Sequence, residues 1–199
     1  MLYDFFSTGT YDRNRDFILT SSPSMDILIS SNLERLIYHI GGNDAKRCAG
    51  FMKSLTSFGK YEITQDMKEG LDMFRGGFCD EEETMATIKS VFERSGYLID
   101  THTAVAAGVY RAYRDETGDD TPVIIASTAS PFKFTGSVLR ALDPSKMSDD
   151  DFEMADELSK LAGVAIPSAV EEIRNAKILH DTVCTVEDME NAVRSVLDR

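Results

Sequence analysis

Cysteine and long apolar runs are scarce in this sequence, and each scarcity excludes a class of protein. The chain has 199 residues and three cysteines, Cys48, Cys79 and Cys184, an odd number with no pair at zinc-finger spacing. We therefore expect reduced thiols rather than a disulfide framework or a cysteine metal site. No apolar run approaches the roughly 20 residues that span a bilayer, and the N-terminus lacks the basic start and apolar core of a signal peptide.

Positive charge is also in short supply. Lysine and arginine number 21 against 34 aspartates and glutamates, which gives a formal net charge of −13. This balance disfavours nucleic acid and anionic membrane surfaces as partners, since both attract basic side chains. Hydrophobic residues make up 42% of the chain, enough for a sizeable core. We expect a soluble, cytoplasmic, folded protein.

The signatures of hydrolases and metalloenzymes are missing as well. There is no G-x-S-x-G sequence, no His-x-x-x-His pair and no Cys/His cluster, so we expect no metal site. His39 and His180 lie in or beside amphipathic helical segments and are predicted to be structural or surface residues. His102 lies where an extended segment enters a helix. Thr101 or Thr103 would cap that helix, which requires no function.

Helix signals dominate what is present. Asn32 is a candidate N-cap for a helix that ends at the glycine pair after residue 40, and Asp80 with Glu83 forms a variant capping box that starts another. Short helices are predicted between these two. Further helices are predicted at about 101–118, 135–142, 148–162, 167–178 and 185–198, the last with Thr185 as its cap.

One segment is predicted to be a buried strand, and the sequence predicts few other strands. The run "PVIIA" at 122–126 is continuously apolar, which is typical of a central parallel strand buried on both faces. A parallel sheet needs neighbouring strands, and the rest of the chain supplies too few. We therefore predict an α/β fold that is an incomplete domain, whose exposed sheet surface could drive self-association.

Hydroxyl side chains follow this predicted strand. Ser127, Thr128 and Ser130 come directly after it, and ligands of open α/β sheets bind beyond the carboxyl ends of strands. The alternative interpretation is that these are loop hydroxyls that cap the helix near residue 135. The residues alone leave both interpretations open.

Four stretches together carry a family resemblance. In order, "DFFSTGTYD", "SPSMDILISSNLERL", "GYLIDTHTAVAAGVY" and "STASPFKF" resemble the C-terminal part of bacterial threonine synthases, end to end along the chain. Many relatives read Asp-Pro-His where this chain has Asp100, Thr101 and His102. The resemblance implies the C-terminal part of a fold-type-II catalytic domain at 1–145, with a helical insert near 43–80, followed by a helical tail at 146–199.

The resemblance also implies an activity and a cofactor. The family uses pyridoxal 5′-phosphate (PLP) to convert O-phospho-L-homoserine and water into L-threonine and phosphate, as a carbon–oxygen lyase acting on phosphates. By this match the hydroxyl of Thr128, with Ser127 beside it, contacts the pyridine nitrogen of the cofactor. A neutral hydroxyl leaves that nitrogen largely unprotonated, whereas an aspartate would keep it protonated. Lys133 would either reach the substrate's phosphate or extend its ammonium group to solvent.

Two family motifs do not occur in the chain. The Schiff-base lysine of the family lies in a motif resembling H-G-P-T-x-x-F-K-D, and the cofactor-phosphate loop resembles S-G-N-F-G-N; both belong to upstream sequence. We therefore expect no catalytic residue here, no PLP bound to this chain alone, and an inactive C-terminal fragment of a longer enzyme. The alternatives are a stand-alone, non-catalytic interaction module and part of another fold-type-II lyase such as a dehydratase. The stretch "SPSMDILISSNLERL" and the insert argue against the latter.

Overall fold

A computed structural model describes residues 1–198 and divides the chain into two compact units, one of residues 1–164 and one that begins at residue 165. The boundary after residue 145 that the family resemblance implies stays a prediction. Across the described residues, no helix combines the length and the apolar character needed to cross a membrane.

The first unit contains eight α-helices and one small sheet within its residues 1–164. The helices are α1 (Leu2–Thr8), α2 (Leu33–Ile40), α3 (Ala45–Phe58), α4 (Gln65–Glu69), α5 (Glu81–Ser95), α6 (Thr101–Thr117), α7 (Thr135–Leu142) and α8 (Asp151–Ala162). Strands β1 (Thr10–Asp12) and β2 (Lys60–Glu62) pair antiparallel, and short 3₁₀ helices lie at Pro23–Met25, Pro131–Lys133 and Pro144–Lys146. The second unit contains α9 (Ser168–Arg174) and α10 (Met189–Leu197).

Aromatic side chains build the core around the small sheet. Tyr11 of β1 lies opposite Tyr61 of β2, and their rings stack with centroids 5.5 Å apart. Phe5 of α1 is fully buried and meets both rings edge-on, with centroids 6.3 Å away in each case. Burial raises the pKa of the Tyr61 hydroxyl above its ordinary value, with a further contribution from Tyr11. The aromatic cluster therefore fixes α1 against the sheet.

Helices α5 to α8 form a second layer in the first unit. Helix α5 packs against α6 and α7, and α7 packs against α8, with Ile88, Leu139 and Leu158 fully buried. The predicted capping box is confirmed, because Asp80 accepts a hydrogen bond from the Glu83 backbone and Glu83 accepts one from the Asp80 backbone. The helices predicted at 32–40 and 135–142 are also confirmed.

Two predicted helix caps are wrong. Asp100, not Thr101 or Thr103, caps α6, because its carboxylate accepts a hydrogen bond from the backbone N–H of His102 while both threonines already lie inside the helix. Helix α10 begins at Met189 rather than near Thr185, since residues 185–188 form a turn closed by a backbone hydrogen bond of 3.2 Å.

The predicted strand at 122–126 is not paired with any other strand in residues 1–198. Instead of being buried on both faces, Val123 is 48% exposed and Ile124 is 96% exposed. The physical reason is that a strand forms only where a neighbour accepts and donates its backbone hydrogen bonds. The helix-rich α/β class is confirmed, but the paired strands that the structure describes are short and antiparallel. Self-association through the exposed segment stays a prediction.

The close packing of α6 beneath the loop before α5 gives a test of this helical layer. A methyl group added at Gly108 would lie 2.6 Å from Cys79 Sγ. We expect Gly108→Ala to lower the free energy of unfolding by about 1 kcal/mol, because the steric cost exceeds the gain of helix propensity. In a Cys79→Ala background the same substitution should cost less, because the closest remaining contact of the added methyl group is Thr87 Oγ1 at 3.3 Å. Denaturant unfolding of the four variants measures both; equal effects in the two backgrounds would contradict the packing.

Candidate functional site

A cleft of about 970 Å³ opens in the first unit. Its walls are the segment 15–30, the loop 77–81, one side of the N-terminal half of α6, and the residues that follow the extended run at 122–126. This volume is at the upper end of the range that small-molecule sites occupy, roughly 300–1,000 Å³. The cleft is therefore large enough for a cofactor-sized ligand.

Of the three predicted site residues, two line the cleft and the third, Ser127, contacts α6 beside it. Thr128 and Lys133 line the cleft, and both side chains are exposed. The Thr128 hydroxyl takes part in none of the hydrogen bonds found in residues 1–198, so it is available to a ligand. The Lys133 ammonium lies 5.7 Å from the centroid of the Phe134 ring. Ser130 does not cap α7; it caps the 3₁₀ helix at Pro131–Lys133, where its hydroxyl accepts from the Phe132 backbone.

Ser127 holds the end of the extended run against the start of α6. Its Oγ lies 2.9 Å from Oγ1 of Thr103, in the first turn of that helix. Thr103 also donates a hydrogen bond to the carboxylate of Asp100. This chain of contacts fixes the backbone next to Thr128 relative to the helix, even though no sheet supports the segment from within residues 1–198.

Asp100 is the centre of this network. It is fully buried, and its carboxylate accepts hydrogen bonds from the backbone N–H and from Nδ1 of His102, each at 2.9 Å, as well as from Thr103. Burial by itself raises the pKa of the Asp100 carboxyl, but hydrogen bonds from Thr103 and His102 and the attraction of the His102 ring outweigh it, so the net pKa is lowered. The group is therefore a buried, ionised carboxylate.

The imidazole of His102 is held on two sides and faces the cleft. Asp100 fixes Nδ1, and the Phe134 ring packs against the imidazole with centroids 4.8 Å apart. The other ring nitrogen, Nε2, is buried without a hydrogen-bond partner, and the residue lines the cleft. The sequence alone indicates a histidine that requires no function. The Asp-x-His spacing was visible, but only the fold shows that Asp100 fixes the ring and leaves Nε2 free.

Comparison with known proteins shows which family this sequence resembles. Residues 103–194 match the family model described as "Threonine synthase, C-terminal", a range that includes Thr103, Ser127, Thr128 and Lys133. The chain is therefore similar to the C-terminal part of threonine synthases. The resemblance stated from the sequence motifs is therefore confirmed.

Two solved threonine synthases share its fold. The crystal structure of threonine synthase from yeast superposes with a TM-score of 0.77 and 29% identity, over 99% of this chain and 40% of that chain. The X-ray crystal structure of PLP-bound threonine synthase from Brucella melitensis gives a TM-score of 0.65 and 36% identity, over 71% of this chain and 30% of that chain. The extended run and the helices around it therefore lie in a part of the chain that superposes on the yeast threonine synthase.

A relative with a different name also matches. Threonine synthase-like 1 from Homo sapiens is 40% identical over 144 residues, which is 71% of this chain and 19% of that protein. The chain spans between about a fifth and a third of the length of the curated threonine synthases and threonine synthase-like proteins that it matches. It corresponds to the C-terminal part of those proteins.

Proposed function

We propose that this chain is the C-terminal part of a PLP-dependent threonine synthase, which converts O-phospho-L-homoserine and water into L-threonine and phosphate. The observation that supports this most strongly is the position of Thr128. Its hydroxyl has no protein partner within residues 1–198 and lines a cofactor-sized cleft, directly after the apolar extended run. The family match of residues 103–194 supports the same activity.

The residues present fit the pyridine end of PLP. Residues 127–134 contain hydroxyl groups, one lysine and no carboxylate, so the group that meets the ring nitrogen is neutral. When PLP is bound, Thr128 would donate a hydrogen bond to that nitrogen, and Ser127 would keep the backbone in place through its contact with Thr103. PLP, when bound, draws electrons away from the substrate's α carbon. A neutral hydroxyl moderates this withdrawal, which limits side reactions in a pathway of elimination followed by hydration.

Lys133 is assigned to the phosphate of the substrate. Its ammonium forms no ion pair with any other residue of the described chain, and it lines the same cleft as Thr128. The ammonium lies 5.7 Å from the centroid of the Phe134 ring, within reach of a weak cation–π interaction. A phosphate dianion is a suitable partner for such a cation.

The chain would supply one wall of the active site, and the covalent link to PLP would come from sequence upstream. Because the family's Schiff-base lysine would also remove the proton from the substrate's α carbon, the proposal assigns that step to the upstream sequence. We therefore expect the chain alone to be inert, and the protein that contains both parts to be active.

Activity assays on matched samples test this proposal. Release of phosphate and formation of threonine from O-phospho-L-homoserine are measured with PLP, first for the isolated chain and then for a full-length protein that carries the chain as its C-terminal part. We expect product only from the second. A full-length protein that binds PLP but forms no threonine would refute the activity. A stoichiometric absorbance band on the isolated chain, resistant to dialysis and abolished by mutating one lysine, would refute the assignment of the covalent lysine to upstream sequence.

A further inference from the structure

The imidazole of His102 carries a hydrogen-bond acceptor that the chain does not use. The carboxylate of Asp100 is ionised and can only accept, so Nδ1 of His102, 2.9 Å away, carries the ring hydrogen. In a neutral imidazole the other nitrogen is then an acceptor. That nitrogen, Nε2, is buried and has no partner within residues 1–198, in a residue that lines the cleft. Because buried polar atoms are nearly always paired, we expect a donor from a ligand at this position.

The pair of Asp100 and His102 has the parts of a general base. A general base needs an available lone pair, a fixed orientation and a means of stabilising the positive charge that it acquires. Asp100 fixes the ring through Nδ1 and, as a buried carboxylate, would neutralise an imidazolium. The same division of roles between a carboxylate and an imidazole recurs in hydrolases of unrelated folds.

Carboxylates also line the cleft, and three of them are already engaged within the chain. Asp26 and Glu81 accept hydrogen bonds from the segment 15–30, and Asp80 caps α5. Asp16 has no side-chain partner among residues 1–198, but it is exposed, so water can satisfy its oxygens. Asp16 is therefore the competing acceptor that an experiment must exclude.

Hydroxyl groups in the cleft cannot replace the imidazole. Oγ of Ser22 is buried without a partner, in a residue that is 5% exposed, and the exposed hydroxyl of Thr128 also lines the cleft. A neutral hydroxyl orients a ligand, but it holds an additional proton far too weakly at neutral pH to serve as a base. Among the residues that line the cleft, His102 supplies the imidazole.

The Phe134 ring links this imidazole to the cation assigned to the substrate's phosphate. It packs against the imidazole with centroids 4.8 Å apart, and the ammonium of Lys133 lies 5.7 Å from its centroid. The imidazole and the ammonium are therefore no farther apart than the sum of these two distances. In the substrate, the β carbon that receives the water is bonded to the γ carbon that carries the phosphate. A base at His102 and a phosphate at Lys133 thus border the same part of the cleft.

We propose that Nε2 of His102 is the base that takes the proton from the water added to the substrate. The inference rests on the proposed function and names the residue for one of its steps. It gives the chain a catalytic residue that the sequence motifs did not predict.

The proposed step balances in atoms and electrons. The water oxygen forms a bond to the β carbon of the unsaturated chain that remains when phosphate departs, and one O–H bond of the water breaks. The proton passes to Nε2, from which solvent removes it. The electron pair of the carbon–carbon double bond moves to the α carbon, where the upstream lysine returns a proton.

Nuclear magnetic resonance of the imidazole nitrogens tests the acceptor state on the isolated 199-residue chain, without PLP or turnover. In the neutral form of the ring, His102 should show one tautomer, with the hydrogen on Nδ1 and none on Nε2. His39 and His180 are exposed and should show a mixture of tautomers, so they serve as internal references. A neutral His102 ring with its hydrogen on Nε2 would refute the proposal.

Single-turnover kinetics of a full-length enzyme that carries this chain test the step itself. In His102→Asn the amide occupies the position of Nδ1 and can still donate to Asp100, but no atom remains at the position of Nε2. Phosphate should be released at close to the wild-type rate. Threonine should form more slowly by on the order of a hundredfold, which is a typical contribution of a general base.

Matched variants separate a base from a structural effect. His39→Asn makes the same change at an exposed position of α2 outside the cleft, and Asp16→Asn removes the competing carboxylate. Both should leave the two rates unchanged. His102→Gln places an amide near the position of Nε2, which can accept a hydrogen bond but cannot hold the proton, so it should form threonine as slowly as His102→Asn.

Three kinetic results would overturn the proposal. These are equal slowing of phosphate release and threonine formation in the His102 variants, wild-type threonine formation in His102→Gln, and a selective loss of threonine in Asp16→Asn. If His102→Asn impairs folding, His102→Gln provides the same measurement. A wild-type enzyme that binds PLP but forms no threonine would instead refute the proposed function, so the two failures are distinguishable.

Discussion

Replacing Thr128 by valine in a full-length enzyme that carries this chain should weaken PLP binding and slow turnover together. The substitution removes a hydroxyl while nearly preserving shape. Loss of one neutral hydrogen bond costs about 1 kcal/mol, rising to about 3 kcal/mol if the ring nitrogen is left buried and unpaired. Turnover should therefore fall by roughly fivefold to a hundredfold, at tenfold for each 1.4 kcal/mol. Steady-state kinetics and equilibrium titration with PLP measure the two effects.

Two companion variants make the Thr128 result specific. Thr128→Asp should protonate the ring nitrogen, shift the absorbance of the bound cofactor and change the ratio of threonine to side products. Thr121→Val makes the same chemical change in the same exposed segment, seven residues earlier and outside the cleft, and should leave both quantities unaltered. If Thr128→Val behaves like Thr121→Val, then Thr128 does not contact the cofactor.

Replacing Asp100 by alanine should lower the free energy of unfolding of the isolated chain by about 3 kcal/mol. The carboxylate is fully buried, and its removal leaves three donors without an acceptor: the His102 backbone, His102 Nδ1 and the Thr103 hydroxyl. Asp44→Ala is the matched control, because Asp44 caps α3 with two backbone hydrogen bonds but lies on the surface. It should cost about 1 kcal/mol. Denaturant unfolding followed by circular dichroism compares the two; equal losses would contradict the central role of Asp100.

The contribution of Asp100 should depend on pH with a definite sign. Its pKa is lower in the folded chain than in the unfolded chain, so folding favours the ionised form. The resulting stabilisation is fully present above the unfolded value of about 3.9 and is lost as pH falls toward the folded value. The difference in stability between the wild type and Asp100→Ala should therefore be larger at neutral pH than near pH 3. A difference that grows on acidification would contradict this.

Helices of this fold are well predicted by local signals, whereas the extended run is not. The capping box of Asp80 and Glu83 acts within one turn, so the start of α5 can be read from four residues. The run at 122–126 has the composition of a buried central strand, yet burial and pairing depend on neighbours that residues 1–198 do not provide. Its high exposure agrees with the expectation that its sheet partners lie outside this sequence.

Only part of the candidate site could be predicted from the sequence. Thr128 and Lys133 could be named through the family resemblance, and both line the cleft, although their ligand contacts remain predictions. His102 and Ser22 could not be selected, because an unpaired buried atom is a property of the fold and not of composition. The interpretation of Thr101 or Thr103 as the α6 cap also concealed Asp100, which is the residue that links the helix to Ser127.

The contact between Thr128 and the cofactor is the central claim of this account, and a structure of the PLP-bound, full-length protein tests it most directly. The account predicts that Oγ1 of Thr128 lies within about 3.2 Å of the pyridine nitrogen. It also predicts that no carboxylate is closer to that nitrogen. A structure in which the nitrogen instead meets an aspartate or glutamate, or in which Thr128 points away from the ring, would contradict it.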